Sequence, residues 1–237
     1  MPKQPKTPKE IDKKLLEYEY SQWDGGIELI AGVDEVGRGA LAGPMVVGAV
    51  ILDKRHLYRS GIRNNDVESE ELRHLITQYA GIKDSKLLTP KKRNILSAFI
   101  IDESISYSVA QIENTELDKI GMSRATSVGF SKAVKNLNIS PEHTLTDAFK
   151  ISDVSSKKQT NIVRGDRLSM TIAAASIVAK VYRDNLMIGY AKKYPEYGFE
   201  QHKGYGTKAH IEAIKKYGPC EIHRLSFEPI RSLHPIP

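Results

Sequence analysis

Residues 27–52 read IELIAGVDEVGRGALAGPMVVGAVIL. Two apolar strand candidates lie in this stretch, 27–34 and 45–52. The second, MVVGAVIL, is β-branched and short, which favours strand over helix. The first run ends in two adjacent acids, Asp34 and Glu35, and Arg38 then sits between Gly37 and Gly39. An acid pair closing a buried-looking run, followed at once by glycines, asks for a chemical explanation.

Outward from this pair, the pattern changes. Residues 53–82 form a polar excursion with a helix predicted over 67–80, closed by Gly81 at C′. Thr89-Pro90 supplies an N-cap and first-turn proline for a helix to about 101. ISYSVAQ (105–111) alternates as a strand does, and helical patterns follow at 115–120 and 122–136. Further strands are predicted at 143–148 (HTLTDA) and 160–164 (TNIVR). The longest helix is predicted over 169–193, with Ile172, Ala175, Val178, Tyr182 and Leu186 on one face and Pro195 just past its end. Thr207 caps a last helix to Tyr217, closed by Gly218 and Pro219. Upstream, the Lys- and Pro-rich residues 1–9 read as disordered, and 10–20 as a short helix with Ile11, Leu15 and Tyr18 on one side. Strands in succession, then strands alternating with helices, predict an α/β fold: a mixed sheet with helices on its faces.

The 237 residues suffice for one large domain or for one domain with appendages. Thirty-five basic against 29 acidic side chains give a net charge of +6, which favours a polyanionic partner such as nucleic acid. Cys220 is the single cysteine, so the chain forms no internal disulfide and no multi-cysteine zinc site, in keeping with a reducing cytoplasm. No apolar run approaches a membrane span, and the N-terminus lacks a signal peptide's apolar core.

Two more acids repeat the setting of the first pair. Asp147 ends the strand candidate HTLTD, and Asp166 follows IVRG before the long helix. If these strands are neighbours, four carboxylates converge. Two unit charges ~4 Å apart repel by ~4 kcal/mol at an effective dielectric of about 20. Such a cluster needs cations or bound protons, and an oxygen-only donor set suits Mg²⁺ or Mn²⁺. Carboxylates holding divalent ions beside a basic surface point to phosphoryl transfer. Successive strand residues face opposite ways, so Asp34 and Glu35 reach one ion only if the strand breaks at Glu35. Otherwise Glu35 offers its carbonyl or an outer contact.

Gly37 to Gly43 also fits GxGxxxG, but the acids would repel a pyrophosphate, and Pro44 with a second strand leaves no helix to receive it. No GxxxxGK[ST] occurs. Gly37-Arg38-Gly39 suits close contact with a nucleic-acid backbone, where amides approach sugar and phosphate and a 2′-hydroxyl separates RNA from DNA. Tyr205, between Gly204 and Gly206, is free to stack on a sugar or base. Lys83-Asp84-Ser85-Lys86 offers two cations and a hydroxyl for phosphates. The seven histidines show no metal-ligand spacing and receive no role.

Together these segments resemble bacterial ribonuclease HII, the type 2 ribonuclease H. The matching pieces are AGVDEVGRGALAGP (31–44), KDSKLLTPKKR (83–93), LTDAF (145–149), VRGD (163–166), AAASIVAKVYRD (173–184), HKGYGTKAH (202–210) and HRLSFEP (223–229). The resemblance implies a ribonuclease H-like fold, a mixed five-stranded sheet flanked by helices, over 27–237, after an N-terminal extension at 1–26 and with a polar insertion at about 53–82. It implies an endonuclease that cuts the RNA strand of RNA–DNA hybrids; the chain is expected to use Mg²⁺ or Mn²⁺ and to act as a monomer in the cytoplasm. It also implies nicking of DNA duplexes 5′ of embedded ribonucleotides, leaving 3′-hydroxyl and 5′-phosphate ends. By position, Asp34, Glu35 and Asp147 match metal-binding acids and Asp166 the fourth active-site acid. Gly37, Arg38 and Gly39 match the segment that senses the 2′-hydroxyl, and Tyr205 the tyrosine that stacks at the RNA-to-DNA junction; Lys86, from its cationic setting, is a further candidate substrate contact. Asp184, in a matching segment, reads as helix structure. Two departures stand out: residues 53–82 are longer than usual, and Ala148 replaces a common glycine.

Overall fold

The structure, a computed structural model, describes residues 11–58 and 70–233. Its sheet is built from β1 (Ile30–Val36), β2 (Met45–Leu52), β3 (Ser104–Ile112), β4 (His143–Asp147) and β5 (Gln159–Ile162), in the order β3-β2-β1-β4-β5. β1 and β2 pair antiparallel, as do β2 and β3, whereas β4 lies parallel to both β1 and β5. This is the mixed five-stranded sheet that the sequence predicts. β2 is buried along its whole length because both faces are covered, which explains its unbroken apolar run.

Among the described residues the helices are α1 (Glu17–Asp24), α2 (Lys54–Tyr58), α3 (Glu70–Tyr79), α4 (Pro90–Glu103), α5 (Asn114–Ile120), α6 (Met122–Lys135), α7 (Met170–Lys193), α8 (Phe199–His202), α9 (Lys208–Tyr217) and α10 (Ile230–Leu233). α7 crosses β1 and β2 on one face, backed by α4, and α6 covers the other face. The approach of α7 is set by small residues on both sides. Ala173, Ala174, Ala175, Ser176 and Ala179 are buried in the helix. A Cβ on Gly32 would fall inside the Thr171 main chain. The Ser169 hydroxyl caps α7 through Ile172 N–H. Glu19 of α1 adds a second cap: its Oε1 accepts from Ser169 Oγ–H (2.6 Å) and Thr171 N–H (3.0 Å). Burial raises the Glu19 pKa.

Several predicted details shift. α7 buries Ile172, Ala175 and Val178, but Tyr182 is exposed and Leu186 half-buried. Past the sheet, α7 turns Arg183 and Met187 inward instead, toward the cluster formed with α8 and α9. Near the N-terminus, a 3₁₀ turn at Lys13–Leu16 changes the phase, so Leu16, Glu19 and Trp23 join Ile11 inside, while Leu15 is half-buried and Tyr18 exposed. The helix predicted over 67–80 is described from Glu70, since 67–69 lie outside the described residues, as do residues 1–9. Gly81 closes it through an N–H bond to Gln78 O (2.9 Å), without a left-handed φ. β5 ends at Ile162, because Arg164 turns left-handed with φ 61°.

Ala148, just past β4, has φ 60°, a region that favours glycine, and its N–H is tied to Ile162 O at 3.0 Å. Relieving that conformation outweighs the entropy glycine adds to the unfolded chain. Ala148→Gly is therefore expected to stabilise the protein by roughly 0.5–1 kcal/mol. Urea unfolding measures it, and an unchanged or lower midpoint would show that no strain is stored there.

Candidate active site

The parallel register sets Val33 opposite Thr146. Asp34 and Asp147, each one residue further on, are thus neighbours on strands about 4.8 Å apart. Asp166 occupies a 3₁₀ turn, Gly165–Arg167, just before α7. The turn is pinned to β4, since Gly165 N–H donates to Asp147 Oδ1 at 2.8 Å. Asp34 is buried, and its carboxyl accepts from Glu35 N–H (2.7 Å) and from the Ser176 hydroxyl on α7. Ser176 Oγ in turn meets Ser85 Oγ at 3.1 Å. The predicted use of Ser85 on phosphates is therefore corrected: it is buried and spent on Ser176. Lys86 next to it is exposed, with Nζ 3.4 Å from Asp166 Oδ2.

β1 does not break at Glu35. It continues through Val36, with Glu35 opposite Val47. Asp34 and Glu35 therefore leave opposite faces of the strand. Glu35 still lies in the field of Asp34 and Asp147, with Arg38 opposing them.

Electrostatics bind the acids into one system. Burial pushes Asp34 up to about 7, with Asp147 and Asp166 adding to the shift against the Ser176 bond. Burial and then the charges of Asp34 and Asp147 push Glu35 up to about 8. Asp147 is raised by burial and by Asp166, against the pull of Gly165 N–H and Lys86. Glu35 Oε2 is buried without a hydrogen-bond partner among the described residues. An orphaned carboxylate oxygen in an all-oxygen acid cluster fits a hard divalent cation. Among the described residues, no three acid, histidine or cysteine side chains are gathered closely enough to hold a metal ion together. Mg²⁺ is commonly held by only one or two carboxylates, with water and substrate phosphate supplying the other oxygens.

The loop after β1 borders these acids. Gly37 is buried with φ 88°, and a Cβ there would overlap the Arg183 side chain. Gly39 is exposed, and Arg38 is half-buried with its guanidinium 4.2 Å from the centre of the Phe149 ring. Tyr205 is adjacent, bridged to Ala40, and Leu41 N–H donates to Gly204 O at 2.8 Å. Its ring lies 5.3 Å from Arg183 Cζ and 5.8 Å from Lys180 Nζ. Asp184 stands apart, paired with Lys180 (2.7 Å) and Arg93 (3.4 Å). That matches its reading as helix structure.

Sequence reasoning gave no role to several residues that support this loop. Arg183 and Arg224 are fully buried. His210 and His223 are buried with their Nε2 atoms 3.1 Å apart. Cys220 N–H can only donate, and it reaches His223 Nδ1 at 2.8 Å. His223 therefore carries its proton on Nε2 and donates to His210, whose Nδ1–H donates to Tyr205 O at 3.0 Å. Burial pulls His210 down to about 4, so its ring stays neutral at ordinary pH. The HKGYGTKAH and HRLSFEP segments carry these residues, yet only the tertiary contact between them reveals the pairing.

A family model described as Ribonuclease HII matches residues 31–230. A protein named Ribonuclease HII from Caldicellulosiruptor bescii is 44% identical over 218 residues, covering 92% of this chain and 92% of its own length. Another of that name, from Clostridium acetobutylicum, is 46% identical over 215 residues, covering 91% of this chain and 77% of its own length. The crystal structure of ribonuclease H2 from Pyrococcus horikoshii aligns with a TM-score of 0.66 at 29% identity, covering 86% of this chain and 96% of that one. With its acids at one end of a mixed sheet and its sequence matched over nearly its whole length, this chain belongs to the ribonuclease HII family.

Proposed function

We infer that this chain hydrolyses the RNA strand of RNA–DNA hybrids and nicks DNA duplexes 5′ of embedded ribonucleotides, leaving 3′-hydroxyl and 5′-phosphate ends. The observation that carries this is the grouping of Asp34, Glu35, Asp147 and Asp166 beside a loop with an exposed glycine. The reaction depends on divalent metal, and Mg²⁺ or Mn²⁺ fits the donors. Asp34 and Asp147 would be the principal ligands, with Asp166 completing the site and Glu35, on the opposite face of the unbroken strand, contributing its main-chain carbonyl or an outer contact. When bound, such ions supply an activated water and neutralise charge at the scissile phosphate.

The remaining residues bind and orient. Lys86 balances Asp166 and, being exposed, is available to a phosphate. Arg38 and the main chain of Gly37 and Gly39 meet the sugar–phosphate backbone, with Gly39 as the exposed member. Tyr205, underlain by two cations, offers a ring face at the RNA-to-DNA junction. We assign the catalytic unit to residues 27–237, with 53–82 a polar insertion and 1–26 an extension. It acts on nucleic acid as a monomer in the cytoplasm. No helix among the described residues is long and apolar enough to cross a membrane.

The test is a DNA duplex with one ribonucleotide beside an all-DNA duplex, each with Mg²⁺ or Mn²⁺. Nicking that requires the ribonucleotide is expected. Equal cutting of both duplexes would make this a general nuclease, and binding without cutting would make it a binding module.

A further inference from the structure

Arg224 follows α9 in the HRLSFEP segment and is completely buried. Among the described residues it has no carboxylate within ion-pair distance, although a buried guanidinium normally requires one. Its donors go instead to main-chain oxygens of the loop after β1. Nη1 donates to Arg38 O at 2.8 Å, while Nε and Nη2 both donate to Gly43 O, at 3.0 and 2.8 Å. Its own N–H donates to Leu41 O at 2.9 Å. One residue thus gathers the carbonyls at the start, middle and end of the 38–43 segment.

A second buried cation lies alongside. Arg183 donates to Ala42 O (3.0 Å), Pro44 O (2.9 Å) and Lys203 O (2.9 Å), which ties the same loop to the Tyr205 turn. The two charges oppose each other: burial and then Arg183 lower Arg224 to about 9. Two mutually repelling cations inside the protein are a poor choice for stability alone. Their partners are nearly all carbonyls of one loop, the loop beside the acids.

The consequence follows from peptide geometry. In a trans peptide the C=O and the next N–H point opposite ways. Arg38 O points inward to Arg224, so Gly39 N–H points outward, at the exposed position. Among the described residues that N–H makes no hydrogen bond. We propose that Arg224 is a positioning residue for ribonucleotide recognition, holding the Arg38–Gly39 peptide so that Gly39 N–H meets the 2′-oxygen of the substrate sugar. This rests on the proposed ribonucleotide-dependent nicking. Arg224 touches no substrate itself.

Arg224→Lys keeps a cation but has one donor head, which cannot span Arg38 O and Gly43 O together. Full-length protein is assayed for nicking of the one-ribonucleotide duplex, with an all-DNA duplex as competitive inhibitor. The readout is the ratio of the inhibition constant to KM, which a loss of active protein does not move. The ratio is expected to fall by about tenfold or more, together with kcat, while the variant remains folded by circular dichroism. A folded Arg224→Lys with an unchanged ratio overturns the proposal. Should Arg224→Lys not fold, Gly39→Pro decides by the same ratio, because it removes the N–H where an added Cβ meets nothing within 4 Å. A ratio kept in Gly39→Pro is again fatal. Wild-type protein that nicks both duplexes equally defeats the proposed function instead, so the two failures are distinguishable.

Discussion

Asp147→Asn is expected to lower kcat for nicking by roughly 10³-fold or more, equivalent to about 4 kcal/mol of transition-state stabilisation. The substitution preserves shape. Asparagine Oδ1 can still accept Gly165 N–H, the bond that pins the Asp166 turn to β4. It also removes a negative charge from a crowded cluster in which Asp147 already raises both Asp34 and Glu35. The fold should therefore hold, and thermal unfolding should show no loss of stability. What disappears is a charged oxygen able to bind a hard cation where a phosphate must approach. Single-turnover nicking at saturating Mg²⁺ and Mn²⁺ measures the effect. Asp184→Asn serves as the control, because Asp184 is spent on Lys180 and Arg93 outside the acid cluster. It should retain activity within about threefold. Near-normal turnover by Asp147→Asn would refute the role given to Asp147.

The sheet and the acids were legible for a shared reason. β2 and most of β1 are buried on both faces and so carry unbroken apolar runs, and an acid that ends such a run is conspicuous. Asp34, Asp147 and Asp166 each interrupt or follow an apolar stretch, which is visible without knowing which strands pair. The course of β1 past Asp34 was not legible, because antiparallel pairing with β2 carries it through Glu35 and Val36 whatever Gly37 allows locally. Arg183 and Arg224 were missed for a different reason. Arginine is rarely buried, and these two are sustained by carbonyl oxygens from residues 42, 44 and 203, and from 38 and 43, far away in sequence. Carbonyls leave no signature in side-chain pattern. The histidine chain shares that fault, since its partners sit on α9 and beyond it. Ser85 shows the converse error: its exposed-looking, lysine-flanked context suited phosphate, yet the 3₁₀ turn that Asp84 caps turns it inward to Ser176.

Metal-free protein should lose stability as pH rises from about 5 to 8, and Asp34→Asn should remove much of that loss. Both acids have folded-state pKa values above their unfolded ones: Asp34 near 7 and Glu35 near 8, against reference values of about 3.9 and 4.3. For an acid raised in this way, the native state holds the proton more tightly than the unfolded chain. Its stabilising contribution is complete below about pH 4 and is lost as pH climbs through the folded values. At pH 8 the chain without metal must ionise buried carboxylates against one another, at a cost of several kcal/mol at most for the coupled pair. A divalent cation reverses the preference by binding the ionised form, so its stabilising effect should be larger at pH 8 than at pH 5. Thermal midpoints at pH 5, 6, 7 and 8, in EDTA and in Mg²⁺, measure both trends. His210, neutral when buried, contributes an opposite slope between about pH 4 and 6.5, but equally in wild type and variant, so it cancels in their difference. In EDTA at pH 8, Asp34→Asn should melt several degrees above wild type, and at pH 5 the two should converge. Equal midpoints at pH 8 would mean that Asp34 is not held under electrostatic stress, and the case for a cation relieving that stress would fall with it.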